Sequence, residues 1–259
     1  MTTVRKDDLF EYALRLGDSA LVLGHRLSEW CGHAPEMELD MAMSNLGLDL
    51  IGQARLFLTY AGEIEGQITG KPGRDEDQLA YLRDALDYRN FLLVEQPNGD
   101  WAATIARQLY FSTFQQLYFE KLAASADEQL AAIARKALPE IAYHVRFATE
   151  WTVRLGDGTE ESKRRMQEGL NNLFRFTDEL FASDEVEDRL AAAGIAPDAA
   201  ALRPLWQARI EQVLREATLD VPPPHRPITG ARKGHHTEHL GYLLAEMQFL
   251  QRAYPGARW

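Results

Sequence analysis

Residues 39–60 read LDMAMSNLGLDLIGQARLFLTY, and this stretch decides the fold class. Its apolar residues recur every three or four positions, a spacing that places them on one face of an α-helix. Two polar residues, Asp49 and Gln53, fall on that mostly apolar face. The same periodicity predicts a core-facing helix over residues 9–31, and no region alternates with a period of two for long enough to suggest a sheet. The sequence therefore predicts an all-α protein.

Two further long helices are predicted downstream of this pair. Asp100 follows the turn residues QPNG and is placed to cap a helix over residues 101–124. Ser125 together with Glu128 forms a capping-box pattern, which predicts a fourth helix from there to Gly156. Four long helices are the requirement for a four-helix bundle core.

The rest of the chain is predicted to be helical in shorter pieces. Residues 75–94 have a helical pattern, and Thr159 is placed to begin a helix that runs through Phe181. Short helices are expected over about 184–217, before the extended linker VPPPHRPITGARKG. A final helix is predicted over 237–253.

Length and composition support one large domain. With 259 residues, of which 46% are hydrophobic and 26% charged, the chain can bury a substantial core as one large domain or as two closely packed lobes. We expect a single domain over residues 1–259, with the core bundle at about 7–156 and accessory helices at about 157–259. The net charge of -11 opposes nonspecific binding to nucleic acid or to an anionic membrane surface.

Cysteine content and the amino terminus predict a cytoplasmic protein. Cys31 is the single cysteine and cannot form an internal disulfide, and we interpret it as a buried, unreactive thiol at a helix end. The sequence MTTVRKDDLFEY does not resemble a signal peptide, and no apolar stretch is long enough for a membrane span. No G-x-S-x-G, P-loop or G-x-G-x-x-G motif occurs.

Carboxylates and histidines on four long helices raise the question of a di-metal site. In such sites two helices each give a Glu and two each give Glu-x-x-His, because residues three apart share a helix face. Asp49 is followed by Gly52, and Glu140 by Tyr143, where ligand histidines would stand. None of the seven histidines has a Glu three positions before it: His25, His33, His144, His225, His235, His236 and His239. The sequence predicts that this chain binds no metal.

Three residues are candidates for the remnant of such a site. Glu140 and His144 lie four apart, and we interpret them as an inward-facing hydrogen-bonded pair. Asp49 is interpreted as a buried acid that an Arg or Lys neutralises, because an unpaired carboxylate in a core is costly. An irregular metal-ligand set formed by all three is the alternative.

A second group of histidines precedes the last predicted helix, in the tract GARKGHHTEHL. His235, His236 and His239 have helical spacing, but a zinc site needs a third and usually a fourth ligand nearby. We interpret Thr237 as the cap of the last helix, with the histidines at its start.

The same tract carries two basic residues, Arg232 and Lys233, in a glycine-containing loop. Such loops suit contact with a phosphate or with an acidic partner surface. We interpret the tract as a solvated loop, and such a contact is the alternative.

Three blocks of the sequence carry a resemblance to a known family. They are LRLGDSALVLGHRLSEWCGHAPEMELDMAMSNLGLDLIGQAR, LLVEQPNGDWAATIARQ and KGHHTEHLGYLLAEMQFLQR. These blocks resemble the PaaC subunit family of bacterial phenylacetyl-CoA epoxidases. They lie near the start, in the middle and near the end, so the resemblance extends over nearly the whole chain.

The resemblance implies a ferritin-like fold and a place in a multicomponent monooxygenase that epoxidises the ring of phenylacetyl-CoA. It implies that the di-iron site and the substrate are held by the related catalytic subunit, PaaA, and that electrons from NADPH arrive through a reductase component. The chain would pair with PaaA as a metal-free structural subunit, without catalytic or cofactor-binding residues of its own.

Two other functions stay open on the sequence. The chain could contribute part of the coenzyme A binding surface through Arg232 and Lys233, or act as an independent di-iron oxygenase through Asp49, Glu140 and His144. The aromatic-rich residues 109–122 suit either the core or the PaaA interface, and we expect them in the core.

Overall fold

The computed structural model describes residues 4–257, and within them the regular structure is entirely helical. The all-α, ferritin-like fold class is confirmed. In chain order the α-helices are α1 (Lys6–Ser28), α2 (Met37–Thr69), α3 (Glu76–Tyr81), α4 (Leu92–Glu95), α5 (Trp101–Leu122), α6 (Glu128–Gly156), α7 (Glu160–Phe174), α8 (Glu185–Ala192), α9 (Arg203–Glu216), α10 (Glu238–Met247) and α11 (Phe249–Ala253). None of these helices combines the length and apolar composition that crossing a membrane requires.

The chain folds into two compact units that interleave along the sequence. Within the described residues, the first unit comprises 4–97, Glu185–Ala193 and 230–257, and it is built on α1 and α2. The second comprises Asn98–Asp184 and Gly194–Thr229 and is built on α5 and α6. The expected single domain stays a prediction, and its ends, residues 1–3 and 258–259, lie outside the described residues.

The first unit is organised around the antiparallel pair α1 and α2, whose backbones approach closely at two glycines. A Cβ atom at Gly24 would lie 3.2 Å from the carbonyl oxygen of Gly47, and one at Gly47 would lie 3.3 Å from that of Gly24. A larger side chain at either position would push the helices apart, so glycine permits the observed packing.

The second unit is organised around the antiparallel pair α5 and α6, with aromatic side chains filling the space between helices. The ring of Trp101 packs edge-on against Trp151 at a centroid distance of 5.5 Å. The indole nitrogen of Trp206 on α9 donates a hydrogen bond to the backbone oxygen of Tyr110 at 3.0 Å. Most of residues 109–122 are buried, which confirms their prediction as core.

The segment 75–94 differs most from the sequence-based expectation of a continuous helical pattern. It contains only α3, the 3-10 turn Ala85–Asp87 and α4. Side chains of α1 capture its backbone, since the Asp18 carboxylate accepts from the N–H of Arg89 at 2.9 Å and the Ser19 hydroxyl accepts from that of Phe91 at 3.3 Å. These long-range bonds satisfy groups that a longer helix would pair internally.

One predicted helix cap is confirmed and another is wrong. The Asp100 side chain accepts from the N–H of Ala103, as its capping position predicts. The cap of α6 is Asp127, whose side chain accepts from the N–H of Leu130, rather than Ser125. The Ser125 hydroxyl instead donates to the backbone oxygen of Ile195, a contact that the local sequence does not reveal.

Other helix boundaries also differ from those that the sequence predicts. α2 continues beyond Tyr60 to Thr69, α7 begins after the predicted cap Thr159 but ends at Phe174, and the last predicted helix is interrupted at Gln248. Cys31 is exposed, because α1 ends at Ser28 and the thiol lies in the turn that follows. The interpretation of Cys31 as a buried thiol is therefore wrong.

Candidate functional site

A buried carboxylate at the end of α4 organises the polar interior of the first unit. Glu95 is fully buried. One carboxylate oxygen accepts from the backbone N–H and the hydroxyl of Thr237, at 2.6 and 2.8 Å. The other lies 2.7 Å from Nδ1 of His236 and accepts from the side-chain amide of Asn90 at 2.9 Å. Four donors from two distant segments thus converge on one carboxylate, which offsets the cost of burying it.

The geometry around His236 indicates a protonated imidazole. Its Nε2 lies 2.9 Å from the backbone oxygen of Tyr88, and a carbonyl can only accept, so Nε2 carries a proton. Its Nδ1 faces the Glu95 carboxylate. Burial by itself lowers the pKa of His236, but the hydrogen bond and negative charge of Glu95 outweigh burial and raise the pKa above the ordinary 6.5.

Arg26 of α1 binds backbone oxygens on both sides of the Glu95–His236 pair. Its guanidinium donates to the backbone oxygen of Glu95 at 2.9 and 3.1 Å and to that of His239 at 3.0 Å. Arg26 also forms an ion pair with Glu29 at 2.7 Å. Together with Asn90, Glu95, His236 and Thr237 it forms what we call the Glu95 cluster. The cluster joins α1, the end of α4 and the start of α10.

A second buried ion pair joins Asp18, which precedes Arg26 on α1, to Arg83. Asp18 has no exposed surface, and the guanidinium of Arg83 donates to both of its carboxylate oxygens, at 3.0 Å in one case. The guanidinium also stacks on the ring of Tyr88, 4.5 Å from its centroid. The two buried charges compensate each other. Removal of either side chain would leave the other charge buried without a partner, which carries a large desolvation penalty.

A third set of charges holds α8 in the first unit. Glu187 of α8 receives two hydrogen bonds from Arg232, at 2.8 and 3.0 Å, and lies 3.7 Å from Arg15 of α1. Arg189 of α8 pairs with Asp8 through two bonds of 2.7 and 2.8 Å. The surface charges of a short helix are thus paired with specific residues of α1 and of the loop before α10.

The pairing of Arg232 with Glu187 changes the interpretation of the loop that carries Arg232 and Lys233. The guanidinium of Arg232 is mostly buried, bound to Glu187 and stacked on the ring of Phe91 at 4.8 Å. Lys233 is exposed. The alternative of a contact between this loop and a phosphate or an acidic partner therefore rests on Lys233.

The histidine tract does not converge on a common point in the way that a zinc site would require. His235 is exposed, His236 is bound to Glu95, and the backbone oxygen of His239 accepts from Arg26. Thr237 occupies the cap position of α10, as predicted, but its hydroxyl binds Glu95 rather than the helix. Long-range pairing with a buried acid replaces local capping here.

The three candidates for a remnant metal site lie on different parts of the fold. Asp49 is on α2 in the first unit, whereas Glu140 and His144 are on α6 in the second. His144 is fully buried, while Glu140 and Asp49 are partly exposed, so the interpretation of Asp49 as a buried acid is wrong. Within residues 4–257 no group of three or more His, Cys, Asp or Glu side chains is arranged to hold a metal ion. The donor set does not fit a di-iron centre.

The sequence drew attention to His236 but not to its partner. Glu95 lies inside the block LLVEQPNGDWAATIARQ, where nothing in the local pattern indicates a buried acid. The Asp18–Arg83 pair was also missed, because its two residues are 65 positions apart in the sequence.

Comparisons with known proteins agree with the resemblance carried by the sequence blocks. Residues 1–259 match the family described as phenylacetic acid catabolic protein. The chain is 52% identical over 253 residues to a protein of Escherichia coli (strain K12) that is named as a subunit, designated C, of 1,2-phenylacetyl-CoA epoxidase. The similarity covers 98% of this chain and 100% of that relative, and it confirms the resemblance.

Proposed function

The chain belongs to the phenylacetic acid catabolic protein family, and on that premise we propose that it is a subunit of a phenylacetyl-CoA epoxidase in phenylacetate catabolism. Within that assembly it serves as the non-catalytic structural subunit, which pairs with the di-iron catalytic subunit PaaA and stabilises it. Full-length identity of 52% to a protein named as a subunit of this epoxidase supports the first statement.

The way in which the buried acids are paired supports the proposal that the chain is a non-catalytic structural subunit. Asp18 is bound to Arg83, and Glu95 to His236, Thr237 and Asn90. Each of these two buried carboxylates is thus paired with a cationic or hydrogen-bonding partner, in arrangements that stabilise a fold. Fully buried and fully hydrogen-bonded groups suit a rigid scaffold better than proton transfer to a substrate.

The division of labour in the assembly follows from this proposal. Iron and substrate belong to PaaA, electrons from NADPH reach it through the reductase component, and the complex works in the cytoplasm. This chain contributes a preformed helical surface, because a catalytic constellation is held in place by the rigidity of the elements that support it. An obligate interface of this type is expected to be large and apolar.

Co-expression of this chain with PaaA tests the proposal. We expect the two to purify as one complex, and we expect PaaA in the complex to have a higher melting temperature than PaaA alone, because binding to the folded state stabilises it. PaaA that is equally stable without this chain, or no joint purification, would contradict the proposal.

Contact with coenzyme A is a weaker alternative, because Arg232 is already bound to Glu187. It requires Lys233 to contribute to thioester binding. Under the structural-subunit proposal, Lys233→Glu leaves the affinity of the assembled complex for phenylacetyl-CoA unchanged.

A further inference from the structure

Exposed apolar side chains concentrate at one place in the first unit. Of thirteen large apolar side chains that are exposed within residues 4–257, six lie in two short segments: Leu82, Leu86, Tyr242, Phe249, Leu250 and Tyr254. We call these six residues the C-terminal apolar face. Leu86, Tyr242 and Phe249 are 73%, 69% and 61% exposed. A group of apolar side chains this exposed is typical of a binding surface.

Hydrogen bonds hold the two segments of the face together. The side-chain amide of Gln248 donates to the backbone oxygens of Ala80 and Arg83, at 3.0 and 2.9 Å. The guanidinium of Arg252 donates to the backbone oxygen of Arg83 at 2.8 Å and to the Asp84 carboxylate at 2.9 Å. The face is therefore a fixed surface rather than a loose end of the chain.

Two adjoining grooves give the face its shape. A groove of about 630 Å³ lies between α3 and the end of α11, lined by Tyr81, Leu82 and Tyr254 among others. A second groove, of about 520 Å³, runs along α10 over Gly241 and Ala245 to Phe249. Arg252 lines both. Gly241 and Ala245 are small residues four positions apart, and they lie beside the ring of Phe249. Such an arrangement leaves a channel into which the side-chain ridge of another helix can pack.

Negative charge surrounds the face. Tyr242 is flanked on the same helix surface by Glu238 and Glu246, at four residues on either side, and both are exposed. Asp75 and Asp77 line the larger groove. Burial raises the pKa of Asp77, and the neighbouring charges of Glu76 and Asp75 raise it further, against the opposing charge of Arg55. The guanidinium of Arg252 is compensated by Asp84.

We propose that the C-terminal apolar face binds an amphipathic helix of another protein component of the epoxidase assembly, with apolar residues in the grooves and Lys or Arg residues facing the surrounding acids. The inference rests on the proposed function. Charge complementarity decides the kind of partner, since positive residues would face Glu238, Glu246, Asp75 and Asp77.

A second copy of this chain is a poorer occupant. A symmetric contact would bring the same acidic rim against itself, and two chains of net charge -11 repel each other at long range.

Binding of purified tagged chain to purified PaaA and to purified reductase, each measured separately, tests the inference. Two variants disturb the face: Phe249→Ser removes an apolar anchor, and the double variant Glu238→Lys with Glu246→Lys reverses the rim charge. The control is Leu205→Ser, because Leu205 is 53% exposed but lies in the second unit. All variants change exposed side chains, and their melting curves check that folding is retained.

For at least one component we expect both face variants to weaken binding about tenfold or more, and the control to bind as the unaltered chain does. Affinity of the unaltered chain should fall as salt rises, and the charge-reversed variant should lose that dependence. Equal binding by unaltered chain and face variants would overturn the inference alone. Self-association that Phe249→Ser abolishes would overturn it in favour of a second copy, whereas absence of any binding by the unaltered chain would overturn the proposed function itself.

Discussion

The Glu95 carboxylate and Nδ1 of His236 lie 2.7 Å apart, although 141 residues separate them in the sequence. His236 reaches in the other direction to the backbone oxygen of Tyr88, so one imidazole joins the loop before α10 to the segment between α3 and α4. Two residues of the C-terminal apolar face, Leu82 and Leu86, lie in the segment between α3 and α4, and the other four follow the loop, in α10, in α11 and at Tyr254. The stability of this pair therefore bears on the surface that we propose for binding.

Removing the carboxylate of Glu95 should destabilise the protein strongly. Glu95→Ala leaves a buried imidazole without its counter-charge and four donors without an acceptor, so we expect the free energy of unfolding to fall by about 3–5 kcal/mol. Denaturant unfolding measures this change. The matched control is Glu120→Ala, an exposed glutamate of α5, which should change stability by less than about 0.5 kcal/mol. Similar losses in the two variants would contradict the role assigned to Glu95.

The Glu95–His236 pair should also make stability depend on pH. The pKa of His236 is raised in the folded protein, so its contribution is fully present below the ordinary value of 6.5 and is lost as pH rises through the folded pKa. We expect the stability difference between the unaltered chain and His236→Gln to be largest near pH 6 and to shrink at higher pH. A difference that grows with pH would show that His236 is held neutral.

The buried pair Asp18–Arg83 should be strongly coupled. Asp18→Leu leaves the Arg83 guanidinium buried without a counter-charge, and we expect a loss of about 3–5 kcal/mol. Replacing both, with Asp18→Leu and Arg83→Met, should cost clearly less than the sum of the two single changes, because no buried charge remains. Unfolding of the four proteins of the cycle measures the coupling. Additive single and double effects would mean that the pair is not energetically linked.

A glycine next to the histidine tract should be indispensable for docking the last helices. Gly234 has φ +75°, and a Cβ there would lie 2.3 Å from the backbone oxygen of Leu86. We expect Gly234→Ala to lower the melting temperature by several degrees, since strain and a clash with backbone act together. Gly52→Ala is the matched control, because nothing lies within 4 Å of its Cβ position in α2. That control should be neutral or stabilising by up to about 1 kcal/mol.

The sequence predicted the four long helices well because apolar periodicity is a local property. α5 begins where Asp100 predicts, and residues 109–122 are core as expected. Family membership was likewise accessible, since it depends on long strings of residues and not on geometry. The remnant-site candidates Asp49, Glu140 and His144 were proposed from helix spacing, which carries no information on how separate helices meet.

What the sequence did not predict depends on contacts between distant residues. Residues 75–94 look helical locally, but Asp18 and Ser19 of α1 capture their backbone N–H groups. Thr237 looks like a simple cap, but a buried glutamate competes for its hydroxyl. In each case a tertiary hydrogen bond outweighs a weak local preference, and periodicity cannot reveal such a bond.

Iron content and turnover of the separated and combined subunits test the central claim most directly. The chain purified alone, after chelation to remove loosely held metal, should contain no stoichiometric iron and should not epoxidise phenylacetyl-CoA with the reductase and NADPH. PaaA combined with this chain should retain iron and turn over. About two irons per chain retained by this chain alone, together with turnover in the absence of PaaA, would contradict its assignment as a structural subunit.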